Sequence, residues 1–332
     1  MAFQVTASLL QAPLGIMADK RNLGILMPLS VLVGGVLACA LGLTDSILVL
    51  IAIIILSGIC ASGFHPIAGG IVPLITPKGK NVLATSIFIV GGNVGFAIAP
   101  FITAIYLEHF EVNELIYLAI IPIVTTIFIF KQRLHIKAPT KVNNQDLKLK
   151  VIIKNKDFCY LVLSIGLRAV CYCSLIVYIP LLFTQQGISS ISASSVLTTL
   201  LIGTAIGGLA VGSISKYFKL RTIIVYSYIL TFVMMAIFLF KVDDSFVSYL
   251  SIFIAGIGLY ASTPPAIVWA QKLLPNANSF ATSIMLGFTF GIGYILSVLI
   301  GLLGDFVGLQ LALTCFIMPC LILAIISILK VR

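Results

Sequence analysis

The chain has 332 residues, of which 60% are hydrophobic and only 9% are charged. Soluble domains carry about a quarter charged residues, so this composition excludes an ordinary soluble globular protein and indicates a protein of the lipid bilayer. The formal net charge of +10 would suit a nucleic-acid partner, but the positions of the charges along the chain argue against that role.

Apolar windows follow one another along almost the whole chain. A hydrocarbon core of about 30 Å needs about 20 apolar residues in a helix, and backbone groups in lipid must find hydrogen-bond partners within their own segment. We therefore predict an all-α membrane protein with 11 transmembrane helices. The windows are residues 2–17, 23–43, 47–75, 82–107, 115–130, 158–183, 195–215, 222–240, 246–270, 280–304 and 309–329.

The longest hydrophilic stretch, at residues 131–157, separates five of these windows from the remaining six. The sequence thus predicts an N-terminal bundle of five helices at residues 1–130, a basic cytoplasmic linker at 131–157 and a C-terminal bundle of six helices at 158–332.

An internal repeat supports two pseudo-symmetric halves. The tetrapeptide ATSI occurs at 84–87 and again at 281–284, and Gly15 falls on Gly212 at the same offset of 197 residues. Pro66 aligns with Pro264 at an offset of 198. Transporters built from parallel repeats have equal halves, so we expect twelve helices with the first one absent. A misplaced start codon and a real truncation both explain this, and the DNA upstream of Met1 would distinguish them.

Charged residues sort onto opposite sides of the predicted membrane. Apart from Arg168 and Lys241, the basic residues lie on alternate connections, at Lys20, Arg21, Lys78, Lys80, residues 131–156, Lys216, Lys219, Arg221, Lys272, Lys330 and Arg332. The other connections carry Asp45, Glu108, Glu111, Glu114, Asp243, Asp244 and Asp305. The positive-inside rule then predicts a multi-pass protein of the cytoplasmic membrane with a cytoplasmic C-terminus. We expect no nucleic-acid partner.

Residues that carry enzyme or metal chemistry are sparse. The seven cysteines lie in or beside apolar segments without the paired spacing of a zinc or redox site, and the three histidines are scattered at positions 65, 109 and 135. We therefore predict no metal, no cofactor and no enzyme. A membrane enzyme acting on lipid would need a nucleophile with a base, or a metal cluster, near one face.

The first short loop combines small and charged residues in the stretch SLLQAPLGIMADKR, 8–21. Here Gly15, Asp19 and Arg21 predict a charged latch, because a carboxylate at a helix end can meet another helix N-terminus or a basic side chain and release it when the conformation changes. The alternative is that these charges are solvated anchors. In the second half Lys216 takes the place of the acid, so the latch would be asymmetric.

The stretch GGNVGFAIAP, 91–100, places glycines within an apolar window. Gly91 and Gly95 lie one helical turn apart, which predicts close approach of a neighbouring helix, and Pro100 can bend the helix. Asn93 lies roughly 200° round the helix from Gly91, so packing by the glycines does not explain it. It either hydrogen-bonds across helices or contacts a substrate.

Three polar residues lie near the bilayer midplane. His65, Asn93 and Arg168 are each 11 or 12 residues from a cytoplasmic edge, which corresponds to about 16–18 Å along a helix. An arginine in a span costs about 2.5–3.5 kcal/mol on insertion scales, so such residues indicate function. We predict that these three bind a substrate, and that the guanidinium favours carboxylate, phosphonate or phosphate oxygens. Structural hydrogen bonding remains the alternative, as does an acid on the absent helix as the partner of Arg168.

Three further stretches join the loop signature in a resemblance to a known family. SGFHPIAGG (62–70), GGNVGFAIAP (91–100) and GLRAVCYCSLIVYIPLLFTQQGIS (166–189), together with the 8–21 loop, resemble the major facilitator superfamily and its fosmidomycin-resistance type of efflux protein over essentially the whole chain. The departures are the absent first helix, which carries polar residues in that family, Lys216 in place of Asp, and Ala99 in place of glycine.

The resemblance implies a secondary transporter that exports a small anionic drug or metabolite in exchange for protons, by rocking of two halves. A phosphonate antibiotic gives the family its name, which agrees with the chemistry of Arg168. The spans contain no midplane Asp or Glu, so His65 is the titratable candidate for proton coupling. The alternatives are a carrier for an organic anion or a sugar derivative, and a nonfunctional truncated remnant.

Overall fold

The computed structural model describes residues 2–136 and 154–331, and in these ranges the chain forms helices and no strands. The prediction of an all-α protein is therefore confirmed for the described residues. Residues 137–153, which make up most of the predicted linker, lie outside them.

Fifteen α-helices are described, and their bounds follow the apolar windows closely. They are α1 (Ala2–Leu9), α2 (Gln11–Lys20), α3 (Leu26–Cys39), α4 (Ile47–Ala61), α5 (Phe64–Ile75), α6 (Asn81–Leu107), α7 (Ile120–Lys131), α8 (Lys156–Gln185), α9 (Ser190–Ile214), α10 (Leu220–Phe240), α11 (Phe246–Ala261), α12 (Thr263–Leu273), α13 (Asn278–Ser283), α14 (Thr289–Val307) and α15 (Leu309–Lys330). A π-helical turn at Ile284–Phe288 joins α13 to α14.

Nine helical segments within the described residues are long and apolar enough to cross a membrane. Of the two remaining predicted spans, residues 2–17 are divided between α1 and α2, whereas residues 82–107 lie within the single helix α6. The protein is thus a multi-pass helical membrane protein, while the count of eleven spans stays a prediction.

Two long spans are broken at equivalent positions of the repeat. The segment Ile47–Ile75 is interrupted between α4 and α5, and the segment Phe246–Leu273 between α11 and α12. In each case a proline follows the break, Pro66 in the first turn of α5 and Pro264 in the first turn of α12, where a missing N–H costs no helical hydrogen bond. The break places His65 and its counterpart Thr263 at the start of a new helix.

The helices gather into two compact units that do not follow the order of the chain. The first contains Met1–Thr76, Gly95–Ile152 and Leu274–Gly291, and the second contains Pro77–Val94, Ile153–Leu273 and Ile292–Arg332. Each unit therefore includes a short segment from the other half of the repeat. This division does not test the predicted domain boundaries at 131 and 157, which stay predictions.

Each unit is held together by closely packed helix pairs. In the first, α3 packs on α4 and α7, and α13 packs on α2 and α5. In the second, α11 packs on α9 and α10, and α15 packs on α8. Glycines allow the closest approaches: a Cβ at Gly203 would lie 2.2 Å from the carbonyl oxygen of Phe253, and a Cβ at Gly256 would lie 2.5 Å from that of Leu200.

Candidate substrate site and charged latch

Arg168 lies near the middle of α8 in the second unit, and its side chain is completely buried. The guanidinium carbon sits 5.6 Å from the centre of the Tyr260 ring, which belongs to α11. A cation over an aromatic face is attracted by the ring quadrupole, by about 2 kcal/mol when the pair is desolvated. The charge of Arg168 is therefore held in place by an aromatic surface.

Further tyrosines surround this pair. The Tyr172 ring meets the Tyr260 ring edge to face at 5.0 Å, and Tyr228 is close enough to Arg168 to be affected by its charge. The side chain of Tyr294 interacts with the thiol of Cys173, and this thiol is in turn close enough to Arg168 to be affected by its charge. Arg168 is thus surrounded mainly by aromatic rings, and these rings carry several hydroxyl groups. Each hydroxyl group can donate or accept a hydrogen bond.

Asn93 reaches the same tyrosine from α6. Its side chain faces the Tyr260 hydroxyl, and its buried amide nitrogen Nδ2 completes no hydrogen bond with any described residue. Two of the three predicted substrate residues, Arg168 and Asn93, therefore meet at Tyr260. They come from opposite halves of the repeat and belong to the same compact unit.

The third predicted residue, His65, belongs to the first unit. It is the second residue of α5, is half-buried, and its ring meets the Phe64 ring edge to face at 5.7 Å. That His65 joins Arg168 and Asn93 around one substrate stays a prediction.

Two cavities in the second unit are lined by other residues. One of about 700 Å³ lies beside Gln186 and Gln310, and one of about 330 Å³ lies beside Ile214 and Phe218. Because the side chain of Arg168 is completely buried, a solute that binds it would need the helices around the arginine to move apart.

Asp19 lies at the end of α2 in the first unit and is only 1% exposed. Its two carboxylate oxygens accept hydrogen bonds from the backbone N–H groups of Ser279, at 3.0 Å, and Phe280, at 2.8 Å. These amides open α13, whose N-cap residue Ala277 has no side-chain acceptor. Asp19 therefore serves as the cap for a helix of the other half of the repeat.

Burial raises the pKa of Asp19 from 3.8 to about 6, although the two backbone hydrogen bonds oppose the rise. The carboxyl group therefore changes its charge near pH 6 rather than near pH 4. Desolvation disfavours the charged form, while N–H donors at a helix N-terminus favour it.

The two other predicted latch residues have different surroundings. A Cβ at Gly15 would lie 2.3 Å from Ser283 Oγ and 2.9 Å from Phe280 Cα, so only glycine fits against α13. Arg21 is exposed, forms no salt bridge with any described residue, and closes α2 through its backbone N–H to Met17. Asp19 thus meets a helix N-terminus rather than the basic side chain beside it.

Comparison with known proteins decides the class to which this arrangement belongs. The family model described as Major Facilitator Superfamily matches residues 1–298. The chain belongs to the major facilitator superfamily. It is therefore a multi-pass membrane transporter of small molecules and not an enzyme, and the resemblance noted in the sequence is confirmed.

Individual members of the superfamily are similar along most of their length. The fosmidomycin resistance protein of Escherichia coli is 24% identical over 325 residues, which are 94% of this chain and 78% of that protein. Among solved structures, the fucose:proton symporter of E. coli covers all of this chain with a TM-score of 0.81 at 14% identity, over 89% of its own chain. A human organic anion transporter aligns with 98% of this chain and 82% of its own, with a TM-score of 0.77 at 15% identity.

The superfamily repeat is visible in a pair of equivalent contacts. Gly15 packs on Ser283 and Phe280, whereas Gly212 packs on Ser86 and Leu83, where a Cβ would lie 3.1 Å from both Ser86 Oγ and Leu83 Cα. The partners are related by the 197-residue offset that relates the two glycines.

The packing predicted for Gly91 and Gly95 is not found among the described residues. Both glycines are exposed, and no described atom lies within 4 Å of the Cβ position of either. Their spacing places them on one face of α6, and the close approach of a neighbouring helix to that face stays a prediction. The side chain of Pro100 lies outside the described part of the chain, so its effect on packing stays a prediction.

Sequence reasoning did not predict three of the residues around Arg168, namely Tyr228, Tyr260 and Tyr294. Tyr172 had a signal, because it follows Arg168 by four residues and so shares its helix face. The other three lie on α10, α11 and α14, and only tertiary packing brings them to the arginine.

Proposed function

We propose that this transporter exports a small anionic drug or metabolite across the cytoplasmic membrane in exchange for protons, with its C-terminus in the cytoplasm. The one-sided distribution of Lys and Arg supports this orientation. The similarity to a fosmidomycin resistance protein supports efflux.

The observation that carries the proposal is the buried cation at Arg168. A guanidinium presents paired donors that match the oxygens of a carboxylate or phosphonate, and the tyrosine hydroxyls offer further donors. The unsatisfied amide of Asn93 adds one more donor beside Tyr260. This set of donors suits an anion and offers no carboxylate to a cationic solute.

Transport by this site requires alternating access, because Arg168 is completely buried. Superfamily transporters hold the substrate near the midplane, and the two halves rock about it. Asn93 and Arg168 come from different halves of the repeat, so a solute that contacts both would bind residues of both halves. In this proposal, Asp19 and Gly15 form a latch that holds one conformation and opens in the other.

Two titratable groups are candidates for binding the proton that is exchanged or that controls the conformational change. His65 is the titratable side chain predicted near the midplane, and burial raises the pKa of Asp19 at the latch to about 6. We assign proton coupling to His65, because its imidazole can gain and lose a proton near physiological pH, and we assign regulation of the conformational change to Asp19.

The experiment that tests the proposal measures transport of labelled fosmidomycin in inverted membrane vesicles, with and without an imposed proton gradient. We expect gradient-driven accumulation in the vesicles, which corresponds to efflux from the cell. Accumulation without a gradient, or uptake in right-side-out vesicles, would instead favour a carrier for an organic anion or a sugar derivative.

Variants of the arginine test the binding role. Arg168→Ala should abolish transport while membrane insertion stays intact, and Arg168→Lys should also fail because an ammonium lacks the two-pronged geometry. Arg133→Lys, which changes an exposed residue just beyond α7, is the matched control and should transport normally. Unchanged transport by Arg168→Lys would contradict recognition by the guanidinium fork.

A further inference from the structure

A second feature of the molecule lies on the surface of the second unit, between α9, α10 and α11. It is an open groove of about 330 Å³, near the lower limit of about 300 Å³ for ligand pockets. Its floor is formed by the small residues Gly207, Ala210, Gly258 and Ala261. Almost all of its lining surface is apolar, so water is a poor occupant and a hydrocarbon chain is a good one.

Close helix packing shapes the groove. A Cβ at Gly207 would lie 2.2 Å from the carbonyl oxygen of Ile257, and a Cβ at Gly258 would lie 2.4 Å from Thr231 Oγ1. These glycines let α9 and α10 approach α11 closely, while the bulkier Ile214 and Leu230 remain as walls. The groove is therefore a fixed feature of the packing rather than a gap left by one mobile side chain.

One end of the groove meets a basic connection. Ile214, Phe218 and Thr222 line the groove, and Lys216, Lys219 and Arg221 alternate with them in the chain. Lys216 and Lys219 are exposed, and Arg221 donates a hydrogen bond to the carbonyl oxygen of Leu329. No acidic residue occurs anywhere between positions 188 and 242. This end is therefore suited to a phosphate.

Aromatic side chains mark the level at which the groove leaves the hydrocarbon. Tyr217 and Phe218 are 72% and 57% exposed, and Tyr226 within the groove is 68% exposed. Tyrosine and other amphipathic aromatic residues concentrate at the membrane–water interface. The order along the groove is thus apolar floor, aromatic belt and cations, which matches the order of acyl chain, glycerol and phosphate in a lipid.

We propose that this groove binds one acyl chain of an anionic glycerophospholipid, whose phosphate is held by Lys216 and Lys219. Basic pockets between transmembrane helices recognise anionic headgroups in this way. A zwitterionic lipid gains less, because the connection has no carboxylate for its ammonium group. The site is independent of Arg168 and of the proposed substrate.

The test uses the single tryptophan of the chain, Trp269. In a Trp269→Phe background, Tyr226→Trp places the reporter in the groove. The protein is reconstituted in phosphatidylcholine with a tenth of the lipid exchanged for brominated-chain phosphatidylglycerol, or for brominated-chain phosphatidylcholine. We expect the anionic lipid to quench the tryptophan several-fold more than the zwitterionic lipid at the same fraction.

Lysine variants show whether the excess quenching comes from this site. Lys216→Gln with Lys219→Gln should remove the excess, whereas Lys78→Gln with Lys80→Gln, an exposed pair on another basic connection, should retain it. Equal quenching by the two lipids, or an excess that survives loss of Lys216 and Lys219, would overturn the proposal. Inorganic phosphate at millimolar concentration should not displace the lipid, because it cannot fill the apolar floor.

A second measurement does not depend on the reporter. The unaltered chain, released from mixed vesicles into mild detergent, should retain phosphatidylglycerol in preference to phosphatidylcholine in native mass spectrometry, and Ala210→Phe should reduce that retention by occupying the floor. Equal retention of both lipids by the unaltered chain would again overturn the proposal.

Discussion

Gly15 and Gly212 occupy equivalent positions in the repeat and make equivalent contacts, yet their neighbouring charged residues differ completely. Beside Gly15, Asp19 is buried and caps the first turn of α13. Beside Gly212, the equivalent residue Lys216 is exposed and lies 4.7 Å from the centre of the Tyr217 ring. One contact combines packing with a buried charge, and the other relies on packing.

This difference separates two functions that a helix contact can have. Glycine packing brings two helices close together and is insensitive to pH, because it contains no titratable group. A buried carboxylate adds a dependence on protonation, since its charge is stabilised by N–H donors and penalised by desolvation. If the latch is asymmetric, only the contact at Asp19 should respond to pH and to changes of charge.

Replacing Asp19 by the residue of the second half should have the largest effect. Asp19→Lys places a cation against the N-terminus of α13 and leaves two backbone amides without their acceptor. We expect a loss of roughly 3–5 kcal/mol from this contact, as for other uncompensated buried charges, and loss of transport. Transport and thermal unfolding of the purified protein measure the two effects. Normal transport by Asp19→Lys would exclude a latch at this position.

The pH dependence of stability should be the next largest effect. The pKa of Asp19 is about 6 in the folded protein and 3.8 when the group is fully solvated. Proton binding therefore favours the folded state: the contribution is complete below pH 3.8 and is lost as the pH rises through 6. The difference of roughly 2 pKa values corresponds to about 3 kcal/mol.

Thermal unfolding between pH 4.5 and 8 measures this dependence. Asp19→Asn is the matched control, because the amide has nearly the same shape and stays neutral at every pH. We expect the unaltered protein to lose stability relative to Asp19→Asn as the pH rises from 4.5 to just above 6, and to run parallel to it at higher pH. Parallel pH profiles for the two proteins would show that Asp19 does not titrate in this range.

The sequence predicted features that depend on neighbouring residues in the chain. Hydropathy predicted the helices, the prolines at 66 and 264 fall directly after the two helix breaks, and the loop pattern drew attention to Asp19. It did not predict Tyr260 beneath Arg168, because that contact joins helices distant in sequence. The packing role of Gly91 and Gly95 stays a prediction for the same reason, since helical spacing defines a face without identifying its neighbour.

The two glycines allow the packing component to be compared directly. A Cβ at Gly15 would lie 2.9 Å from the backbone Cα of Phe280, whereas a Cβ at Gly212 would lie 3.1 Å from that of Leu83 and closest to the flexible end of the leucine side chain. We expect Gly15→Ala to cost about 1–3 kcal/mol, as overpacking does, and Gly212→Ala to cost less. Thermal unfolding of the two variants measures both losses of stability. An equal loss, or a larger loss for Gly212→Ala, would contradict this prediction.

Introducing an acidic residue at position 216, in the second half of the repeat, should have the smallest effect. It tests whether a carboxylate at the position equivalent to Asp19 can create a second latch. Lys216→Asp places a carboxylate where Asp19 stands in the repeat, near the start of α6, and an exposed charge at a helix N-terminus contributes about 0.3–1 kcal/mol. We expect slightly slower transport, because a second latch would have to open in each cycle. Lys216→Asn is the control: both variants remove the lysine, but only the aspartate adds the charge. If the two variants transport at the same rate, a carboxylate at this position does not act as a latch, and the asymmetry between the halves has another origin.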